Sequence, residues 1–213
     1  VCMEVYLIRH GETGGNLAHR HQHEDSRLTP KGVQQALAAA QIAADLKPTH
    51  LFVSDRVRAL ETAQAIGAAT DLIPETNHYF DELCRPYDMY GAYHLSRRSL
   101  RYLYAWFTDR VGEDDCGEVG ESYQAFRTRL AAARQELEQL PKDARVVVVS
   151  HSVFITLFVA HLNRPQRLSW LGAVRNFVRL KRLPNGSVTH LTYTQEGGWR
   201  VQSFGKNRNS IKS

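Results

Sequence analysis

The segment Arg145–Ser150 contains four consecutive valines and runs directly into His151. A run this short and this apolar reads as a strand buried on both faces, and such strands belong to parallel sheets covered by helices on either side. Two earlier segments repeat the pattern: Glu4–Ile8 leads into Arg9-His10-Gly11, and His50–Val53 leads into Ser54-Asp55. Helix signals alternate with them. Thr29-Pro30 supplies an N-cap followed by proline at the first helical position. Behind it Val33, Ala36, Leu37, Ala40 and Ala44 recur at helical spacing, which predicts an amphipathic helix over 30–46. Further helices are expected from Arg56 to Ala69 and from Val153 to Leu162. The alternation predicts an α/β chain, a three-layer αβα sandwich around a mostly parallel central sheet.

The remaining segments are less regular. Leu100, Leu103, Tyr104, Phe107 and Val111 mark one helix, with Tyr104 and Phe107 packing into the core. Phe126, Leu130, Ala133, Leu137 and Leu140 mark another, with Ser122 as its N-cap. Towards the C-terminus, Phe177–Leu183 and Val188–Tyr193 flank Pro184-Asn185-Gly186-Ser187 and read as a hairpin with Asn-Gly at its turn. Gly197-Gly198 marks a second turn before a strand from Trp199 to Phe204. From Lys206 the chain is polar and basic, and 206–213 is expected to be a flexible tail. No repeat, linker or low-complexity tract divides the chain, so residues 1–213 read as one domain.

Composition narrows the function classes. With 43% hydrophobic and 23% charged residues the chain is an ordinary globular sequence. No apolar run reaches the ~18 residues of a membrane span, and Val5–Ile8 is too short for a secretory leader; the expectation is a cytoplasmic protein with no membrane partner. Cys2, Cys84 and Cys116 show no CxxC spacing and read as three free thiols. The net charge of +5 is spread along the chain; its densest groups, Arg97-Arg98-Arg101 and Arg175 to Arg182, read as solvated faces rather than a nucleic-acid surface. His19, His21 and His23 alternate in a polar loop with no carboxylate or cysteine spacing to complete a ligand set, so they read as surface residues and no metal is expected. Oligomeric state is not encoded legibly.

Each apolar strand delivers polar groups at its C-terminal end: Arg9 and His10 from the first, Ser54-Asp55 with Arg58 just beyond from the second, Ser150-His151 from the third. Ligands of open α/β sheets bind in the crevice outside those ends. Two arginines and two histidines converging there make a cationic site, and guanidinium offers bidentate bonds that suit phosphate oxygens. A neutral imidazole in that setting is a nucleophile able to take up a phosphoryl group and release it to water, with the arginines spreading the transition-state charge. Two structural histidines at strand ends are the bland alternative, which leaves the arginines unexplained.

The residues resemble those of the histidine phosphatase superfamily, which includes the phosphoglycerate mutases. The resemblance rests on Arg9-His10-Gly11-Glu12-Thr13 with Asn16, Leu28 to Gly32, Ser54 to Ala63, Phe80 to Leu83 through Gly91, Gly120-Glu121-Ser122 and Val147 to His151, in family order. It implies a phosphoglycerate mutase-like fold, a phosphatase that uses no cofactor, and a small phosphorylated substrate. It implies His10 as phosphate acceptor, with Arg9, Arg58 and His151 on the phosphoryl oxygens, Asn16 on the bound phosphate and Glu82 as proton donor. Asp81 and Asp88 are the other carboxyls of the same loop. Ser152 stands where the family usually has glycine and is a further candidate phosphate contact. The segment from Arg20 to Arg27 is short compared with the mutase version, which favours hydrolysis over mutase-type transfer. A non-catalytic phospho-ligand or protein-binding module on the same fold would be expected to lack one of His10, Arg9, Arg58 or His151, and none is missing.

Overall fold

The computed structural model describes residues 2–111, 118–163 and 166–207, with Trp170 described by its backbone only. In chain order the elements are β1 (Met3–Arg9), α1 (Gly14–Leu17), α2 (Pro30–Leu46), β2 (His50–Val53), α3 (Val57–Thr70), β3 (Glu75–Thr76), α4 (Arg97–Phe107), α5 (Tyr123–Glu138), β4 (Arg145–Ser150), α6 (Ser152–His161), α7 (Trp170–Lys181), β5 (Val188–Thr194) and β6 (Gly198–Lys206). The sheet order is β3-β2-β4-β1-β5-β6. Strands β3, β2, β4 and β1 run parallel, and β5 and β6 close one edge antiparallel.

The valine strand β4 lies between β1 and β2, where both faces must be apolar. Val146 and Val148 join the core built with α5 and α6, while Val147 and Val149 join the core under α2 and α3. Burying a valine side chain contributes roughly 1.5–3 kcal/mol, so polar residues are tolerated only once the strand leaves the sheet. Register then brings the polar ends together. Arg9 pairs with Ser150 and Val53 with Val149, so His10, Ser54 and His151 leave the sheet at one edge.

Helix α2 starts as expected, with Thr29 accepting from the Gly32 amide at 3.0 Å and Pro30 in its first turn. Its inward face differs from the one read from periodicity. Gly32, Ala36, Ala39, Ala40, Ile42 and Ala43 are buried, whereas Val33 and Leu37 are 45% and 46% exposed. Small residues win because the backbone must come close. A Cβ on Gly11 would lie 2.3 Å from the Gly32 carbonyl oxygen, and one on Gly32 would lie 2.1 Å from that of Glu12. These two glycines clamp the loop that carries His10 against α2.

Four other expectations are corrected. In α4 the inward residues are Ser99 and Trp106, with Tyr102, Leu103 and Phe107 packed alongside; Leu100 and Tyr104 face outward, and Val111 lies past the helix. Phe177–Leu183 is not a strand: residues 170–181 form α7, capped by Ser169, whose hydroxyl accepts from the Gly172 amide. Its positions Ala173, Phe177 and Leu180 fit a helical period that a short apolar run does not distinguish from a strand. Asn185-Gly186 therefore links α7 to β5, and the hairpin is β5–β6, turning at Gly197-Gly198 as expected. Strand β6 continues through Lys206, so the expected tail starts later, and positions 208–213 lie outside the described residues. Cys84 is disulfide-bonded and buried while Cys2 is a free, exposed thiol, which overturns the reading of three free thiols and removes its support for a reducing compartment. Cys116 lies outside the described residues. No helix among them is long and apolar enough to cross a membrane.

Gly32→Ala is expected to destabilise the fold by about 1–3 kcal/mol through overpacking, seen as a thermal midpoint several degrees lower. An unchanged midpoint would contradict the clamp.

Candidate active site

Hydrogen bonds across the sheet edge fix the three strand ends. The His10 amide donates to the Ser150 carbonyl at 3.0 Å and the Ser54 amide to that of Val149 at 3.1 Å. Thr62 ties the His10 loop to α3: its hydroxyl accepts from the Gly11 amide at 3.1 Å and donates to the Arg58 carbonyl at 2.8 Å. Arg58 is thereby set in the first turn of α3, facing the same crevice. Arg9, His10, Asn16, Arg58, Glu82 and Ser152 line a single cavity of about 840 Å³. His151 lies behind this surface, fully buried, with its ring centroid 5.0 Å from that of His10.

His10 is 2% exposed. Its Nδ1 lies 2.7 Å from the Gly11 carbonyl oxygen, an acceptor, so Nδ1 carries the proton and Nε2 carries the lone pair. Burial, then the charges of Arg58 and Arg9, push its pKa well below the ordinary value. The ring is therefore a neutral base and nucleophile at physiological pH.

The arginines are the unusual part. Arg58 is buried and donates from Nη1 to the His23 carbonyl at 2.9 Å; Arg9 is partly buried and donates from Nη1 to the Leu183 carbonyl. The Nε of each is buried without a partner. Among the described residues neither forms an ion pair within 4 Å, whereas Arg129 is held by Glu121 through two bonds of 2.8 and 2.7 Å. Burial lowers the pKa of Arg9 and Arg58 to about 10, which still leaves both charged at neutral pH. Glu82, in the same cavity, acts on both through space without an ion pair within 4 Å, and desolvated guanidiniums with open donors are suited to an oxyanion.

Glu82 enters from the loop after β3. Its carboxylate accepts from the amides of Leu83 at 3.0 Å, Val153 at 3.3 Å and Phe154 at 3.2 Å. The last two belong to the first turn of α6, whose N-cap residue His151 provides no side-chain cap. Glu82 takes over that duty and satisfies donors the helix leaves free. Arg129 holds the loop from below, donating to the carbonyls of Asp81 at 2.7 Å and Glu82 at 3.3 Å. Asp88 is exposed and paired with Arg98, and Asp81 accepts from the Asp55 amide at 3.0 Å. Neither lines the cavity; the other carboxylate that does, Glu24, is paired with Arg56.

Several residues contribute in ways the sequence did not indicate. The Ser54 hydroxyl lies 2.7 Å from His151 Nε2 and also bonds the Asp81 carboxyl, whose pKa is raised chiefly by burial. This chain orients the His151 ring and leaves its Nδ1 buried without a partner. Asn185 donates to the His10 carbonyl and to Asn16 Oδ1, both at 3.0 Å, so the segment read as a hairpin turn is part of the site. The signal was present in Asn185 but was assigned to turn formation; Arg129 looked like any arginine on an amphipathic helix. His21, read as a surface residue, is half-buried against Ser99 at 3.0 Å, and burial lowers its pKa to about 3. The grouping able to offer three metal-ligand atoms among the described residues is Asp55, His78 and Asp81, not the 19–23 loop. Arg97, Arg98 and Arg101 are exposed, as expected of a solvated face.

Fold and site together define an α/β protein with a crevice lined by a histidine and two arginines at the carboxyl edge of its sheet. The chain belongs to the histidine phosphatase superfamily, branch 1, whose sequence profile matches residues 5–207. A probable phosphoglycerate mutase GpmB of Salmonella paratyphi C is 32% identical over 214 residues, covering 95% of this chain and 93% of that protein. The GpmB protein of Erwinia tasmaniensis is 33% identical with the same coverage. Among solved structures, a mycobacterial glucosyl-3-phosphoglycerate phosphatase in complex with VO3 is 25% identical, with a TM-score of 0.73 over 96% of this chain and 99% of that one. A putative α-ribazole-5'-P phosphatase from Escherichia coli shares the fold at 20% identity, with a TM-score of 0.75 over 96% and 97% of the two chains.

Because the pKa of buried His10 is depressed, the unfolded chain binds a proton near pH 6.5 that the folded chain does not. The stability this confers is complete above that pH and is lost as pH falls towards the lower folded value. Over pH 5–6.5 the slope of unfolding free energy against pH should drop by up to about 1.4 kcal/mol per unit in His10→Gln. Equal slopes in variant and wild type would show that His10 titrates normally.

Proposed function

We propose that the protein hydrolyses a phosphomonoester through a phosphohistidine on His10. The observation that carries this reading is the pair of guanidiniums without an ion pair, Arg9 and Arg58, each with a buried unpartnered Nε, beside a neutral imidazole whose Nδ1 is already engaged. The ester's phosphoryl oxygens bind Arg9 and Arg58, with His151, Asn16 and Ser152 as further contacts. His10 Nε2 attacks phosphorus as the bond to the ester oxygen breaks, and Glu82 delivers a proton to that oxygen. The proton can enter with the substrate, since the second ionisation of such phosphates lies near pH 6. Water then attacks the phosphohistidine, returning a proton to Glu82 and releasing inorganic phosphate. The arginines supply the positive charge the reaction needs, so chelators are expected to leave the rate unchanged.

The GpmB relatives favour a second reading, phosphoryl transfer between positions of a phosphoglycerate. Against it stand the short Arg20–Arg27 segment and the engagement of Arg20 with the Gly91 carbonyl at 2.7 Å and with the Tyr93 ring. Release of inorganic phosphate without isomerisation of 3-phosphoglycerate separates the two.

Glu82→Gln keeps one acceptor oxygen, enough for the Leu83 and Phe154 amides but not for that of Val153, and removes the proton donor. It should lower turnover of alkyl phosphates by ~10²–10⁴ and that of dinitrophenyl phosphate far less, while His10→Ala loses both. An equal loss on both leaving groups in Glu82→Gln would remove Glu82 from the acid role.

A further inference from the structure

The cavity at His10 is larger than a phosphate requires. Its volume of about 840 Å³ is in the range that encloses a sizeable organic ligand. Beyond Glu82 it extends between α4, α6 and α7, and its chemistry changes there. Leu103, Phe107, Val153, Leu157, Phe177 and Leu180 supply an apolar wall. Helix α6 carries no acidic residue, lysine or arginine. The outward turn of Leu100 and Tyr104 follows from the same arrangement, since α4 turns Tyr102, Leu103 and Phe107 towards this space.

Three polar atoms in this wall are buried without a partner: Tyr102 Oη, Thr156 Oγ1 and Asn176 Oδ1, one from each helix. All three residues line the cavity. Thr156 is 1% exposed and Asn176 8%. Asn176 has a defined orientation, because its Nδ2 donates to the Gly172 carbonyl at 2.8 Å and leaves Oδ1 as an acceptor. Unpaired buried polar atoms are few in folded proteins, and where their residues line a cavity a ligand or a water can complete the bonding. Two further cations border the cavity. Arg85 donates to the Leu83 carbonyl at 3.3 Å, and the Lys181 ammonium lies 5.5 Å from the Phe177 ring centre.

We propose that the alcohol released by the enzyme is an uncharged, largely apolar body seated between α4, α6 and α7, bearing a hydroxyl or amide group that pairs with Tyr102, Thr156 and Asn176. This assignment rests on the phosphatase reading above and extends it to the leaving group. A carboxylate-bearing leaving group would find its cations, Arg85 and the exposed Lys181, at the border of the cavity and not in that wall, against which losing its hydration is unfavourable.

The test is phosphate release by the wild-type protein from n-alkyl monophosphates (ethyl to octyl), their ω-hydroxy counterparts, O-phosphoserine and 3-phosphoglycerate. The value of kcat/KM should rise about three- to fourfold per methylene until the cavity is filled. At the fitting length the ω-hydroxy ester should exceed the plain alkyl ester, and both should exceed the two carboxylates. A series flat in chain length, or a preference for phosphoserine or 3-phosphoglycerate, would overturn the proposal. Ala173→Trp, which fills the α7 side, should flatten the chain-length series; a slope as steep as wild type would place the apolar group elsewhere and overturn it too. Thr156→Val should lower the ratio of ω-hydroxy to plain ester, a ratio that does not depend on how much of the variant folds. p-Nitrophenyl phosphate separates the two levels: no His10-dependent turnover on it defeats the phosphatase reading itself, whereas normal turnover with a flat alkyl series defeats only this assignment.

Discussion

Two guanidiniums held out of water without an ion-paired carboxylate are the constraint around which the site is organised. Arg9 and Arg58 each spend one nitrogen on a backbone carbonyl and keep the rest of the fork free. Maintaining such charges in the interior is unfavourable unless an anion completes them. The same charges, together with burial, keep His10 unprotonated. In the proposed mechanism one electrostatic arrangement serves both to bind an oxyanion and to keep its attacker neutral.

The scaffold explains how the arrangement is held. Parallel pairing of β1, β4 and β2 in fixed register places the three strand ends side by side. Gly11 and Gly32 bring the first loop against α2, and Thr62 joins that loop to the helix bearing Arg58. On the other side the Arg129–Glu121 pair fixes the Glu82 loop, and Glu82 in turn caps α6. Glu82 is therefore both a structural cap of α6 and a carboxylate that lines the cavity. Its substitution by residues without an acceptor oxygen would disturb the helix as well as the chemistry, which is why the amide is the informative replacement.

Much of this was legible in the sequence because it depends on local patterns. The buried strands announced themselves by unbroken apolar runs, and their polar endings named His10, Arg9, Ser54, Arg58 and His151. Thr29-Pro30 and Ser122 marked helix starts that the structure has at those positions. What was not legible depends on tertiary packing. Periodicity alone misplaced the inward faces of α2 and α4, because alanines and glycines face inward where backbones approach closely, and because α4 turns Tyr102, Trp106 and Phe107 towards a cavity. The apolar run at 177–183 has no length or flanking signal that separates helix from strand, so α7 was missed, and with it the role of Asn185. Arg129 and Asp81 act through partners far away in sequence, which no spacing rule reveals.

The central claim is that His10 accepts the phosphoryl group between the two cations. Denaturing the enzyme rapidly during steady-state turnover of a labelled phosphomonoester, under alkaline conditions that preserve phosphoramidates, and mapping the peptides tests it most directly. The account predicts label on the peptide containing His10, attached at Nε2 and labile to acid. Turnover with no protein-bound phosphate, or with the label on any other residue, would contradict it.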